Sequence, residues 1–323
     1  MRWSIRASRW ADVAEAAGTV RVGPIASQTE IRRASTGLWS DAWYRLRHDR
    51  LTLVAMAILV VLILLSAAAP LFAEHVFKFR FEQQELLKAY TKPTFAEPEY
   101  LLGGDEIGRS QVVRLLYGGQ VSLLVGFGSA FFSLTIGVTI GLLAGYLRGR
   151  VDDIITWFIT TLVSIPGLYL LLIISALFRP SPITLISVIA LLAWPGSALY
   201  VRGQTFSLRE REFVIAARTV GASTTRIMLK HILPNVAPLI IILAAIDIGG
   251  IILLESALSY LGLGITPPTP SWGNMLTNAA SYFVRAPFLV ISPGIMIFLT
   301  VLCLYLIGDG LRDALDPRLR GST

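Results

Sequence analysis

An all-α membrane protein with six transmembrane helices is the fold class that the sequence predicts. Hydrophobic residues make up 54% of its 323 residues and charged residues only 15%, a balance far outside that of soluble globular domains. Crossing a bilayer takes about 20 residues of helix, and six apolar runs reach that length. They lie at about 51–73, 119–146, 154–178, 182–204, 235–262 and 287–308.

The six runs divide the chain into three parts. A tail of arginines among small and polar residues covers 1–40, and it lacks the apolar stretch of a cleavable signal peptide. The first span and a long polar segment, which we expect to be extracytoplasmic, take up 41–118. A core of five spans takes up 119–323 and includes a polar loop at 209–235 and a polar C-terminal tail.

The basic residues are distributed unevenly between the two sides of the membrane. Of the 28 Lys and Arg residues, 20 lie on the side that holds both termini and the 209–235 loop, and 8 lie on the other side. Because cytoplasmic loops carry the excess of Lys and Arg, we expect both termini and this loop to be cytoplasmic. On the opposite side, an interfacial helix that holds Arg109 and Arg114 at headgroup level explains both arginines without a substrate role.

The second run carries a small residue at every fourth position. These residues are Ser129, Ser133, Gly137, Gly141 and Gly145. Residues four apart share one side of a helix, and small side chains let another helix approach closely. The sequence therefore predicts a packing seam along this span.

Three spans contain an internal Pro-Gly pair, which begins at Pro166, Pro195 or Pro293. Proline removes a backbone hydrogen bond and clashes with the preceding turn, so we expect a kink at each pair. Such kinks are either static or hinges of a passage through the membrane. Pro166 and Pro195 are therefore candidates for the translocation path.

Asp247 and Glu255, both in the fifth run, are the acids that lie well inside the apolar runs. A charged residue at membrane depth costs roughly 2.5 to 3.5 kcal/mol, and such residues usually face a bundle interior or a cavity. Eight residues of helix separate the two by about 12 Å along the axis. Each either lines the translocation path or accepts hydrogen bonds within the bundle. For Glu255 the donors would be Ser256, Ser259 or the glycine-rich turn that follows.

The 209–235 loop has the pattern of two short helices between spans. Its first apolar face consists of Phe213, Ala216, Ala217 and Val220, which recur at helical spacing. Gly221 supplies the permissive backbone of a helix end. A second amphipathic turn then leads to Pro234, which suits the first turn of the next span. On pattern alone, two short helices between spans are also typical of cytoplasmic loops that have no special role.

Several motifs of enzymes and binding proteins are absent from the sequence. No P-loop motif occurs, so the chain cannot cradle ATP phosphates in that way. The three histidines lie near or outside span ends and form no H-E-x-x-H motif, which argues against an intramembrane protease. Nucleic-acid binding has no support, because the basic residues lack interleaved aromatics. We expect no catalytic residue, no metal site and no cofactor in this chain.

The 209–235 loop resembles the EAA loop of ABC-importer permeases. Ala216 and Ala217, then Gly221, then Ile232 and Pro234 follow the spacing of that family. Where many members have an acidic residue, this chain has Ile215 instead. Further stretches resemble the C subunits of peptide-type permeases, and they lie at 101–126, 254–276 and 308–320.

The resemblance implies the C-type permease subunit of a bacterial ABC importer of the dipeptide, oligopeptide and nickel class, with a type I fold, in the inner membrane. It implies a heterodimer with a second permease subunit, two cytoplasmic subunits that bind ATP and Mg, and an extracytoplasmic solute-binding protein. The residues that it implies in coupling to the ATPases are Phe213, Ala216, Ala217, Gly221, Ile232 and Pro234. The alternative is an ion-coupled secondary transporter or channel that uses Asp247 and Glu255. Dipeptides, longer peptides, nickel chelates and sugars all stay open as the solute.

Overall fold

A computed structural model describes residues 38–178 and 181–316. The predicted N-terminal tail at 1–40 and the end of the C-terminal tail fall almost entirely outside these ranges. From Ala42 onward the described residues belong to one structural unit, and the packing below is confined to it.

Helices account for most of the described residues. They are α1 (Leu38–Leu46), α2 (Arg50–Ala67), α3 (Gln111–Leu147), α4 (Gly149–Ser164), α5 (Gly167–Leu177), α6 (Pro182–Leu208), α7 (Glu212–Thr219), α8 (Thr224–Ile227), α9 (Leu233–Tyr260), α10 (Ala279–Arg285) and α11 (Phe288–Leu315). A π-helical turn, Met228–Ile232, joins α8 to α9, so that Thr224–Tyr260 runs as one continuous helix.

Five helical stretches of the described chain are long and apolar enough to cross a membrane: α2, α3, α6, α8 with α9, and α11. α4 and α5 make a sixth span only as a bent pair, because their axes differ by 78°. The break falls at Ile165, whose backbone is extended (φ −86°, ψ 124°). A residue before proline is disfavoured in the helical conformation. The span predicted at 154–178 therefore corresponds to this bent pair, and the kink predicted at Pro166 is confirmed as a break in the helix.

The other two prolines do not interrupt their helices. α6 continues through Pro195 and α11 through Pro293. α3 begins at Gln111, well before the predicted start near 119, because the Ser110 hydroxyl caps it by accepting the Val113 N–H at 3.3 Å.

The small residues of α3 pack against α6, which confirms the predicted seam. All five are buried. A Cβ placed on Gly141 would lie 2.6 Å from the Ala198 carbonyl oxygen, and one on Gly145 would lie 2.6 Å from the Arg202 carbonyl oxygen. The backbone of α6 thus occupies the space that side chains would need. Close packing of this kind holds helices together where lipid supplies no hydrophobic driving force.

α3 also connects the two ends of the helix bundle. Its 37 residues extend about 55 Å at 1.5 Å per residue. We call the end that holds 209–235 the loop end, and the end that holds Gln111 the far end. At the far end Trp272 is 1% exposed, and its indole N–H donates to the Leu115 carbonyl at 3.0 Å.

The segment before α3 holds Arg109 and Arg114 in a buried ion-pair cluster at the far end. Arg109 Nε lies 2.6 Å from Asp105 Oδ2, and Arg114 Nε lies 3.7 Å from the same oxygen. The two arginines are 8% and 4% exposed. The structure thus places both arginines around a buried carboxylate. Arg109 precedes the helix, and Asp105 supplies a buried counter-charge that makes their burial possible.

Candidate functional site

The 209–235 segment, which we call the helical loop, is built on a well-formed helix end. Gly221 takes a left-handed conformation (φ +81°) just after α7. Its N–H donates to the Arg218 carbonyl at 3.0 Å, and the Ala222 N–H donates to the Ala217 carbonyl at 3.1 Å. These are the two bonds of a Schellman motif, which closes the last turn of a helix. The helix end predicted at Gly221 is confirmed.

The second part of the helical loop merges with the following span. The Ser223 hydroxyl caps α8 by accepting the Arg226 N–H at 3.4 Å. The prediction of a separate second helix is wrong, because the turn Met228–Ile232 carries α8 directly into α9. Pro234 lies in the first turn of α9, as predicted. Thr224–Tyr260 is thus one helix that extends from the helical loop to the far end.

An apolar cluster fixes the helical loop to the ends of α3, α6 and α9. Its buried members are Leu142, Tyr146, Val201, Val214, Ala217, Ile227, Ile232 and Val236. Val214 and Ile232 are both 0% exposed. The loop is therefore packed as firmly as the interior of the bundle at these positions.

Other positions of the helical loop expose hydrophobic side chains. Its large exposed hydrophobic residues are Phe213, Ile215, Val220 and Leu229, and we call them the exposed hydrophobic set. Val220 is 85% exposed. Four large exposed hydrophobic side chains within one short segment make the helical loop a candidate interaction surface.

The predicted coupling residues include both buried and exposed positions of the helical loop. Ala217 and Ile232 are buried in the apolar cluster, and the exposed ones are Phe213, Ala216, Gly221 and Pro234. Of the four residues of the predicted apolar face of α7, only Ala217 is buried, and Phe213, Ala216 and Val220 are exposed. α7 has two apolar stripes, and the stripe that contains Val214 is the one that packs on the bundle.

Arginine side chains tie the helical loop to neighbouring helix ends. Arg148, which follows α3, lies 2.8 Å from Glu210 Oε1 and 3.8 Å above the ring of Phe206. Arg202 of α6 donates to both carboxylate oxygens of Asp152 in α4, at 2.5 and 2.7 Å. Bidentate pairs of this kind restrict orientation as well as distance. The ends of α3, α4 and α6 are thus linked at the loop end.

Glu255 is a structural acceptor in this conformation. Its side chain is 0% exposed and accepts hydrogen bonds from Ser122 at 2.9 Å and from Ser259 at 2.7 Å. Of the two interpretations of this residue, the geometry favours hydrogen bonding within the bundle. Ser259 was among the predicted donors, whereas Ser122 of α3 was not.

Asp247 has different surroundings. It is partly exposed, and among the described residues no hydrogen bond or ion pair to its side chain is found. Pro166 is exposed at the break between α4 and α5, and Pro195 is buried inside α6. Among the described residues, no hydrogen bond or ion pair links one of these three candidates for the translocation path to another.

Two polar elements of the structure have no clear signal in the sequence. The Asp152–Arg202 pair joins residues 50 apart in the chain. The network around Glu255 reaches Ser122, which is 133 residues away. Charged residues near span ends suit solvent and headgroups equally well, so pairing across such separations is not readable from spacing.

Comparison with known families identifies the class of protein to which this apolar helix bundle and its packed loop belong. Residues 137–321 match the family described as binding-protein-dependent transport system inner membrane component. Residues 37–93 match the N-terminal TM domain of oligopeptide transport permease C.

Individual relatives cover nearly the whole chain. The oligopeptide transport system permease protein OppC of Haemophilus influenzae is 38% identical over 90% of this chain and 92% of its own length. OppC of Bacillus subtilis is 33% identical over 90% of this chain and 93% of its own. The glutathione transport system permease protein GsiD of Escherichia coli is 36% identical over 88% and 91%.

A solved structure supports the fold. A chain of the inward-facing MetNI methionine ABC transporter superposes with a TM-score of 0.52 at 19% identity, over 63% of this chain and 96% of that one. The fold is that of type I ABC-importer permeases.

This chain belongs to the binding-protein-dependent transport system inner membrane component family. It is a multi-pass membrane protein and the permease subunit of an ABC importer, not an enzyme. As such it works with ATPase and solute-binding components. The assignment supports the permease interpretation and not the alternative of an ion-coupled transporter or channel.

Proposed function

We propose that this chain is the C-type permease subunit of a peptide importer and forms a heterodimer with a second permease subunit. The match of residues 37–93 to oligopeptide transport permease C supports this assignment, as do relatives named for oligopeptide and glutathione transport. The two permeases would enclose the translocation path between them. Asp247 is our candidate for a residue on that path, because it is partly exposed on a span.

The coupling proposal rests on one observation: the helical loop has both buried and exposed apolar positions. Val214, Ala217 and Ile232 pack on the bundle. The exposed hydrophobic set is left uncovered. We infer that two ATPase subunits, which hold the ATP and Mg, each bind one permease, and that this chain inserts Phe213, Ala216 and Val220 into its ATPase. Gly221 and Pro234 set the geometry of the loop.

The continuous helix Thr224–Tyr260 connects the proposed ATPase contact to a membrane span. A displacement of the helical loop would be transmitted along this helix. The ends of α3, α4 and α6 would move together with the helical loop, because the Asp152–Arg202 and Arg148–Glu210 pairs link them. ATP-driven closure of the ATPases would then rock the spans as rigid bodies and expose the path to alternate sides.

Cytoplasmic ATPases would also set the orientation of this chain in the membrane. The ATPases are cytoplasmic, so the loop end and both chain termini face the cytoplasm, in agreement with the excess of Lys and Arg on that side. The far end then faces the outside, where the solute-binding protein delivers its cargo.

A pair of glycine variants tests the coupling. Gly221 and Gly262 both have positive φ, +81° and +77°, and a Cβ at either would meet no atom within 4 Å. Gly221→Asp and Gly262→Asp therefore add the same charge at similar backbone strain, at the loop end and at the far end. We expect only Gly221→Asp to abolish co-purification of the ATPases, and ATP-dependent uptake to be lost in that variant as a result. Normal ATPase binding by Gly221→Asp would overturn the coupling role.

Transport by the whole importer tests the substrate class. Proteoliposomes that contain both permeases, both ATPases and the solute-binding protein should take up a labelled tripeptide only when ATP is enclosed on the ATPase side. Uptake of nickel or sugar, with no peptide uptake, would leave the coupling proposal intact and remove the peptide assignment.

A further inference from the structure

α4 presents two apolar sides, only one of which is covered within this chain. Its packing side belongs to one apolar cluster with side chains of α3 and α6, and consists of Ile155, Ile159 and Leu162. Its second apolar side is exposed and consists of Ile154, Trp157 and Phe158. Large exposed apolar side chains of this kind on a membrane span suit contact with lipid.

A third side of α4 is polar. Its residues recur at steps of three or four and therefore share one side of the helix. They are Asp153, Thr156, Thr160 and Ser164, and we call them the polar stripe. Thr156 is partly exposed, and the other three are exposed. Polar residues inside a span usually face the interior of an assembly or a cavity.

The polar stripe leads into the break between α4 and α5. Ser164, Ile165, Pro166 and Gly167 are all exposed there, and Ile165 is extended. Ser164 lies about 15 Å along the helix from Ile154, where the apolar part of α4 begins, so the break falls near the middle of a hydrocarbon core about 30 Å thick. Backbone that is not helical does not face lipid at that depth, because its polar groups would lack partners. This part of α4 therefore faces protein or water.

The hydroxyl groups of the polar stripe are left with acceptor capacity. Thr160 donates its hydroxyl hydrogen to the Thr156 carbonyl, and Ser164 donates to the Thr161 carbonyl at 2.7 Å. Thr156 donates to Asp152 Oδ1 at 3.3 Å. Each hydroxyl hydrogen is thus used within α4, whereas each hydroxyl oxygen can still accept a hydrogen bond. The polar stripe suits a ligand that carries N–H donors.

The spacing of these hydroxyls matches an extended peptide. Side chains four residues apart on a helix repeat about every 6 Å along its axis. Every second residue of an extended chain presents its N–H on the same side, and these groups repeat about every 6.5 to 7 Å. Thr156, Thr160 and Ser164 could therefore meet three such N–H groups with an accumulated mismatch of about 1 Å.

We propose that the polar stripe lines the translocation path and binds the main chain of the transported peptide, with the three hydroxyl oxygens accepting its N–H groups. This inference rests on the proposed function, a peptide importer whose path lies between two permeases. Main-chain contacts of this kind are independent of the peptide's side chains. The polar stripe would thus hold peptides of different sequence in the same extended conformation.

Cysteine labelling tests where the polar stripe faces. Thr160 and Thr161 are neighbours, both exposed and both bonded to a carbonyl of their own helix, but Thr161 lies on the side of Ile154 and Phe158. The whole importer is placed in proteoliposomes in a Cys303→Ser background, with a membrane-impermeant methanethiosulfonate on both sides. We expect Thr160→Cys to react at least tenfold faster than Thr161→Cys. Equal rates, or no reaction of Thr160→Cys, would overturn the placement on the path.

Removal of one hydroxyl tests the binding of the main chain. Thr160→Val keeps the shape of the side chain and removes the acceptor, so ATP-dependent uptake of labelled trialanine should slow roughly fivefold, the effect of one hydrogen bond. Thr161→Val should leave uptake unchanged. Both variants should keep the wild-type unfolding midpoint and ATPase binding. The same loss is expected for trilysine, and a loss confined to one of the two peptides, or no loss, would refute main-chain binding.

Failure of this inference is distinguishable from failure of the proposed function, because labelling requires no peptide. An importer that carries trialanine while Thr160→Cys stays unlabelled would keep the proposed function and remove the polar stripe from the path. An importer that carries no peptide while Thr160→Cys is labelled would keep the polar stripe on the path and remove the peptide as its ligand.

Discussion

Ser122 of α3 donates its hydroxyl hydrogen to Glu255 of α9 over 2.9 Å, and the same hydroxyl oxygen accepts the Trp272 backbone N–H at 3.1 Å. Ser259 repeats the arrangement: it donates to Glu255 over 2.7 Å and accepts the Ile265 N–H at 2.9 Å. The carboxylate orients both hydroxyls, and the hydroxyls hold the connection that follows α9. Glu255 is thus the junction between two spans and the far-end connection.

Removing one of these hydroxyls should destabilise the protein. Ser122→Ala leaves a Glu255 oxygen and the Trp272 N–H without their partner in a buried site, which costs roughly 1 to 3 kcal/mol. We expect a clear fall in the midpoint of thermal unfolding of the purified protein in detergent. Ser187→Ala is the control, because the exposed Ser187 hydroxyl donates to a carbonyl of its own helix. Equal losses in the two variants would contradict the role of the network.

Substitution by alanine should affect stability in opposite directions at two glycines, one in the seam between α3 and α6 and one on the exposed side of α6. Gly141→Ala would place a methyl group 2.6 Å from the Ala198 carbonyl and 2.9 Å from Val201 Cβ, and such overpacking costs about 1 to 3 kcal/mol. At Gly203, on α6, a Cβ meets nothing within 4 Å. Gly203→Ala should therefore leave stability unchanged or raise it by up to about 1 kcal/mol, through helix propensity. Thermal unfolding of both variants measures the difference.

Much of this fold is readable from the sequence because the membrane imposes it. Apolar runs locate the spans, and the four-residue spacing from Ser129 to Gly145 identifies the seam, since a lipid-embedded helix has few other ways to pack closely. Gly221 marks the end of α7 for an equally local reason. These features depend on one segment and its solvent, and both are visible in the sequence.

Other features depend on which segments meet, and the sequence does not state that. Pro166 signals a break, but the 78° bend depends on what α4 and α5 pack against. α7 carries two apolar stripes, and only the positions of Tyr146 and Val201 decide that Val214 faces inward. Arg109 and Arg114 suit lipid headgroups as well as a buried carboxylate, so their pairing with Asp105 needed the folded chain.

Asp152 and Arg202 should be coupled in their contributions to the free energy of unfolding, and a double-mutant cycle measures this coupling. Asp152→Asn removes one partner of a partly buried bidentate pair and should destabilise the protein by roughly 1.5 to 3 kcal/mol. Asp153→Asn, at the exposed neighbouring position, should change stability by less than about 0.5 kcal/mol. Once Arg202 is replaced by Gln, Asp152→Asn should cost much less. An undiminished cost in that background would show that the pair contributes no stability.

The two sides of the helical loop should respond differently to the same charge. Val214→Asp places a carboxylate in the apolar cluster, where Val214 is 0% exposed, and should prevent folding or lower the unfolding midpoint strongly. Val220→Asp places the same group where the side chain is 85% exposed, so the protein should fold and insert normally.

If the exposed hydrophobic set is the contact with the ATPase, Val220→Asp should nevertheless weaken that contact at least tenfold, because the carboxylate would be desolvated in an apolar interface without a partner. Co-purification of the ATPases and their permease-stimulated ATP hydrolysis report on the contact, and thermal unfolding reports on the fold. A Val220→Asp protein that is both stable and fully coupled would place the ATPase contact elsewhere on the loop end.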